Sequence, residues 1–202
     1  HAALKVQQME MIGMNSHKIV ILSGKWRLIK KGKRGQKITT ANRLGEVREN
    51  KYGTKMKIIA YRKSDDIDVQ FLDEHGYVFE HQIYSNFKLG GIRNPYDKTV
   101  YGVGYLGDGK YNGWVNGKPT VEYYIWQQII CRCYNENDKE KYGSYYDISE
   151  VCSEWLNFQN FAQWYNEHKY ECDGRLHVDK DIKYPGNKMY SPYHCILVPP
   201  TY

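Results

Sequence analysis

Nothing in the 202 residues approaches the ~20 consecutive apolar positions that a membrane-spanning helix needs; even the stretch around Ile125 is broken by Gln127 and Gln128. Membrane insertion is therefore set aside. Cysteine is scarce and odd in number. The five residues, Cys131, Cys133, Cys152, Cys172 and Cys195, do not form the even framework of a disulfide-stapled secreted domain, and no secretory apolar segment precedes them. Reduced thiols in a cytoplasm are expected. Cys131-x-Cys133 is too tight for the usual two-residue zinc knuckle, so structural Zn²⁺ would have to draw on Cys152, Cys172, Cys195 and His194, a minor alternative. No repeat of 20–50 residues and no low-complexity tract is present, which excludes solenoid and collagen-like architectures.

Acidic residues are also scarce at one end. Residues 1–60 carry 14 Lys/Arg against 3 Asp/Glu, while residues 61–202 carry 15 against 20. Such asymmetry suits either a polyanion bound at the N-terminal part or a solvated basic arm. The cations cluster at Lys30, Lys31, Lys33, Arg34 and Lys37, with Gly32 and Gly35 interleaved, the composition of a loop that stays extended until an anion orders it. These five are the candidate nucleic-acid contacts. What the chain has in excess is tyrosine, 20 residues of it, whose flat ring and polar tip suit half-wet surfaces and interfaces. With 41% hydrophobic and 26% charged residues the composition is that of packed globular protein.

The length favours more than one module. A basic arm is expected over 1–43, including a strand at Ile19-Val20-Ile21-Leu22. Period-two alternation at Met56-Lys57-Ile58-Ile59-Ala60-Tyr61, Ile67-Asp68-Val69-Gln70-Phe71 and Tyr77-Val78-Phe79 predicts hairpins in a small antiparallel, barrel-like or curled β module over 44–107. A further strand is expected at Thr99–Tyr105. Residues 106–119, rich in Gly, Asn and Lys, read as a linker or an inter-module hairpin. Thr120 is placed to cap a helix over 122–134, and a second helix is expected after Ser153, with Trp155, Phe158, Ala162 and Tyr165 as its core stripe. The fold class is α+β, with the β module followed by an α+β module over 120–202.

The chemistry-bearing segment is Leu176-His177-Val178-Asp179-Lys180-Asp181-Ile182, then Pro185-Gly186-Asn187, then Tyr190-Ser191-Pro192-Tyr193-His194-Cys195-Ile196-Leu197-Val198. Two short strands joined by a polar loop fit it. Here the sequence resembles the HNH, or ββα-metal, nuclease superfamily, in the branch found in phage and mobile-element proteins and in some rare-cutting restriction enzymes. That branch has a Leu/Val-Asp-Arg/Lys-x-Asp strand, a Gly-Asn turn and a Tyr-Ser-Pro-x-Asn-Cys strand. Cys131-Arg132-Cys133-Tyr134, Val151-Cys152-Ser153-Glu154-Trp155 and Phe158-x-x-Phe161 also resemble the stretch before the nuclease motif in such phage proteins.

The resemblance implies a divalent ion, Mg²⁺ or Mn²⁺, facing a scissile phosphate, with Asp179 as its ligand and Asn187 of the Gly-Asn turn as a second. Lys180 occupies the place of a histidine base or an arginine and is a candidate phosphate contact, but a poor base unless its pKa is strongly lowered. Tyr190, His194 (where the family has Asn) and His177 are the alternatives for polarising water, and the choice among them stays open. The family adds a helix after the second strand, which carries another ligand; the sequence ends at Tyr202, directly after Pro199-Pro200, and the ligand set is incomplete as it stands.

Three functions follow as expectations. The first is a metal-dependent endonuclease on DNA, duplex favoured, in a bacterial host cell. The second is a non-catalytic nucleic-acid-binding protein on the same scaffold, and the third a phage protein that inhibits a protein partner through its Tyr-rich surface. Oligomeric state stays open, a homodimer being one option by analogy with palindromic sites.

Overall fold

A computed structural model describes the backbone of residues 17–22, 25–30, 43–138, 140 and 148–200, with side chains from 43 onward, Asp138 excepted. The chain divides into two compact units, His1–Leu44 and Gly45–Tyr202. In the first, β1 (His17–Leu22) and β2 (Lys25–Lys30) form an antiparallel hairpin. The basic positions Lys31, Lys33, Arg34 and Lys37 lie outside the described residues, as does the side chain of Lys30.

The second unit is an α+β fold. It opens with β3 (Val47–Glu49), β4 (Lys55–Lys63), β5 (Asp66–Phe71) and β6 (Val78–Gln82), an antiparallel sheet in the order β3-β4-β5-β6. The barrel-like expectation is corrected here: β3 and β6 are the two edges of an open meander, and its four strands are about half of the ~8 that enclose a packed barrel interior. Alternation builds one apolar face, because Met56 and Ile58 of β4 and Ile67, Val69 and Phe71 of β5 are fully buried. A short helix α1 (Tyr84–Lys88) places Phe87 on that face, and Ile92 completes its core.

The strand expected at Thr99–Tyr105 is absent. Val100 and Gly104 form only an isolated bridge around a turn in which Tyr101 and Gly102 have φ of 49° and 74°, values no strand accommodates. The following segment is fastened to the helical part. Tyr105 donates its N–H to Leu156 O at 2.9 Å and accepts from Phe158 N at 2.9 Å. Gln159 clasps Tyr111 through both its carbonyl (3.0 Å) and its amide (2.9 Å). At Gly107 φ is +70° and a Cβ would strike the Asn157 side chain, so only glycine fits. The minimal hairpin β7 (Trp114–Val115) and β8 (Lys118–Pro119) then leads into α2 (Val121–Tyr134).

Thr120 caps α2 as the sequence indicates, its hydroxyl accepting from Tyr123 N at 3.3 Å. After β9 (Glu150–Val151), residues Ser153–Leu156 form a 3-10 turn, and α3 (Phe158–His168) starts only after its cap, Asn157. The expected second helix thus begins later than Ser153, because Asn157 interrupts it and caps the new start, accepting from Gln159 N at 3.0 Å. Its stripe is core as expected: Trp155, Phe158 and Ala162 are fully buried and Tyr165 nearly so. Trp126 of α2 packs against Phe158 and donates its indole N–H to Trp155 O at 2.6 Å.

The remaining strands are β10 (His177–Asp179), β11 (Met189–Tyr190) and β12 (Ile196–Val198). β10 pairs antiparallel with β12, Asp179 lying opposite Ile196, while β11 pairs in parallel with β9. Leu176, Tyr190, Cys195 and Leu197 join the α2–α3 core. No helix among the described residues is long and apolar enough to cross a membrane.

Candidate functional site

Asp179 closes β10, where burial alternates: Leu176 is buried, Val178 packs on the α2–α3 core, and His177 is exposed. Strand periodicity therefore puts His177 and Asp179 on the same outward face. Asp179 is half-buried, and one carboxylate oxygen accepts from Asp181 N at 2.8 Å and Ile182 N at 2.7 Å. Two backbone donors fix the carboxylate's direction and make it the hinge of the polar loop that follows. His177 and Asp179 are thus brought to one surface.

The other expected site residues are placed differently. Lys180 is buried, its ammonium held by both oxygens of Asp181 (2.9 and 2.8 Å) and by Asn187 O at 2.7 Å. That geometry makes Lys180 a fastener of the loop and leaves it no reach to a phosphate. Asn187 completes the fastening: its amide donates to Lys180 O at 3.0 Å and to Met189 O at 2.7 Å, and its carbonyl accepts from Met189 N at 3.1 Å. Tyr190 is 2% exposed within the core, so it is withdrawn from solvent by its pairing with β9. His194 is half-buried, bonded through Nδ1 to Ser191 Oγ at 2.7 Å, with the rings of Tyr184 and Tyr193 edge-on to it.

Burial governs the thiols. Desolvation pushes Cys133 up to about 11 and Cys195 up to about 12, keeping both protonated at neutral pH. Cys152, Cys172, Cys195 and His194 do not gather into a ligand group.

Two groupings escaped the sequence reading. Asp66, Asp68 and His81 bring ligand atoms within 4.8 Å of one another. Arg62 pairs with both carboxylates, at 3.0 Å to Asp66 and 2.6 Å to Asp68, one guanidinium against two negative charges. Burial would raise the Asp68 carboxyl, but the Arg62 guanidinium and the His81 backbone N–H outweigh it and leave the carboxyl below its ordinary value. The cluster is an ion-pair network in which Arg62 offsets one of the two carboxylate charges. Its signal, the i, i+2 spacing of Asp66 and Asp68, is split in the sequence between a turn and the predicted strand Ile67–Phe71, whereas β5 begins at Asp66. The second grouping is a groove of Tyr124, Gln128 and Arg132 on α2 facing Arg175 and His177, signalled by the four-residue spacing of the first three.

Comparison of the chain with family models, with curated proteins and with solved structures finds no match.

Proposed function

We propose that the chain is a metal-dependent phosphodiester hydrolase of the HNH (ββα-metal) type acting on DNA, with Asp179 as the ligand of one Mg²⁺ or Mn²⁺. The observation that carries this reading is Asp179 itself: a carboxylate at a strand end, oriented by two backbone amides, beside an exposed histidine. Mg²⁺ is commonly held by one or two carboxylates together with substrate phosphate and water, so one pre-oriented carboxylate is a compatible donor set. Such an ion, when bound, supplies Lewis acidity toward the phosphate. His177 is the base this arrangement favours, because it is exposed on the face that carries Asp179, whereas Tyr190 is buried in the core and Lys180 is held by Asp181 and Asn187.

A second reading, a DNA-binding protein that keeps the scaffold without cutting, draws support from a different observation: Lys180, Asn187 and Tyr190 are all committed to the loop and core. The two are separated by incubating the chain with supercoiled plasmid in Mg²⁺, Mn²⁺ or EDTA. The hydrolase nicks only with metal, and His177→Ala slows nicking while binding persists. Tight, salt-sensitive binding with no nicking under any condition selects the second reading.

A further inference from the structure

The groove between α2 and the segment entering β10 encloses about 170 Å³, below the ~300–1,000 Å³ of sites that surround a whole small molecule. Buried Ile125 and Ile129 line it with the half-buried Val178, and its polar walls are Tyr124, Gln128 and Arg132 on one side and Arg175 and His177 on the other. Arg175 lies over the Tyr124 ring, its Cζ 4.5 Å from the centroid, which holds the guanidinium against α2.

Neither Arg132 nor Arg175 has a carboxylate within ion-pair distance among the described residues, whereas Arg48 and Arg62 are taken by Glu46 and by Asp66 and Asp68. Two guanidiniums lining one narrow groove repel each other unless an anion joins them, and their planar forks match the oxygens of a phosphate. Because Arg175 covers the Tyr124 ring, that ring orients a cation and offers little platform to a base.

We propose that this groove is a clamp for a backbone phosphate of duplex DNA, Arg132 and Arg175 being its two arms. It rests on the nucleic-acid reading above and adds where the duplex is gripped: His177 belongs both to the groove and to the face that carries Asp179. The clamp reads phosphate and not base, so its contribution is independent of sequence.

The test is anisotropy of a short labelled duplex across ~50–200 mM salt, with the wild-type chain, the Arg132→Gln/Arg175→Gln variant and the Arg132→Lys/Arg175→Lys variant. Loss of two contacts lowers the slope of log affinity against log salt by about 1.8, and affinity roughly tenfold per contact near 0.1 M salt. The Lys variant retains the slope while binding more weakly, because the charge remains and the fork is lost. Thermal melts matching wild type exclude misfolding as the cause. A Gln variant with wild-type affinity and slope overturns the clamp while leaving the nucleic-acid reading intact. A wild-type chain with no salt-sensitive binding overturns both, and tighter, arginine-dependent binding of polyglutamate than of duplex overturns the DNA assignment in favour of an acidic protein partner.

Discussion

Replacing Lys180 by Met separates two roles that the residue's position in the motif leaves confounded. The ammonium makes bonds of 2.7–2.9 Å to Asn187 O and both Asp181 oxygens, and the side chain is 8% exposed. Met preserves most of the buried stem but removes these charge-assisted bonds. Asp181, whose side chain is 46% exposed, recovers its solvation, so the main loss is the charge-assisted bond to the half-buried Asn187 carbonyl, about 1.5–3 kcal/mol. For a protein of this size that lowers Tm by roughly 3–12 °C. DNA affinity, measured by anisotropy at temperatures where both proteins are folded, keeps its wild-type salt slope. A slope reduced by about 0.9 with an unchanged Tm would refute the reasoning, because it would make Lys180 a phosphate contact and not the fastener of its loop.

Gly107→Ala forces a Cβ into the Asn157 side chain at φ +70°, combining left-handed strain with damage to the α3 cap. Urea titration should register a loss of about 2–3 kcal/mol. Cys133 and Cys195 have folded-state values raised to about 11 and about 12 from an ordinary 9.0. Their buried neutral thiols therefore add stability that is intact below about pH 9 and lost as pH climbs through 11 and 12. Alkaline melts should show that decline; the Cys133→Ser/Cys195→Ser variant should show a shallower one, and neither thiol should react with a disulfide reagent at pH 8 while the protein is folded. Neutralising Lys30, Lys31, Lys33 and Arg34 together should weaken DNA binding and flatten its salt slope; an unchanged slope would make that run a solubilising arm.

The legible parts of the fold were those written in local pattern. Thr120 followed by apolar positions at helical spacing marks α2, and strict alternation marks β4 and β5, each because the signal and the element occupy the same few residues. The α3 start was misplaced because the Trp155 stripe continues through Asn157, whose capping geometry interrupts the helix without disturbing the burial pattern. The turn at Tyr101 was taken for a strand because β-branched and aromatic composition says nothing about the sign of φ. In the candidate site, Asp179 and His177 were named separately, as ligand and as one of three alternatives for the base, and strand β10 sets them on one face. The burial of Tyr190 was not, since it follows from parallel pairing with β9, a long-range contact that leaves no local periodicity. The Arg132–Arg175 groove was hidden for the same reason: its walls come from separate elements, α2 and the approach to β10.

Cleavage of supercoiled plasmid by the Asp179→Asn variant tests the central claim most directly. The amide retains an acceptor for the Asp181 and Ile182 N–H groups, so the turn survives, whereas the anionic ligand is gone. With Mg²⁺ or Mn²⁺ the wild-type chain is expected to nick the plasmid and to stop in EDTA, while Asp179→Asn binds DNA with a near wild-type melt and does not nick. Nicking by the variant at the wild-type rate would remove Asp179 from the site and with it the assignment of Asp179 as the metal ligand.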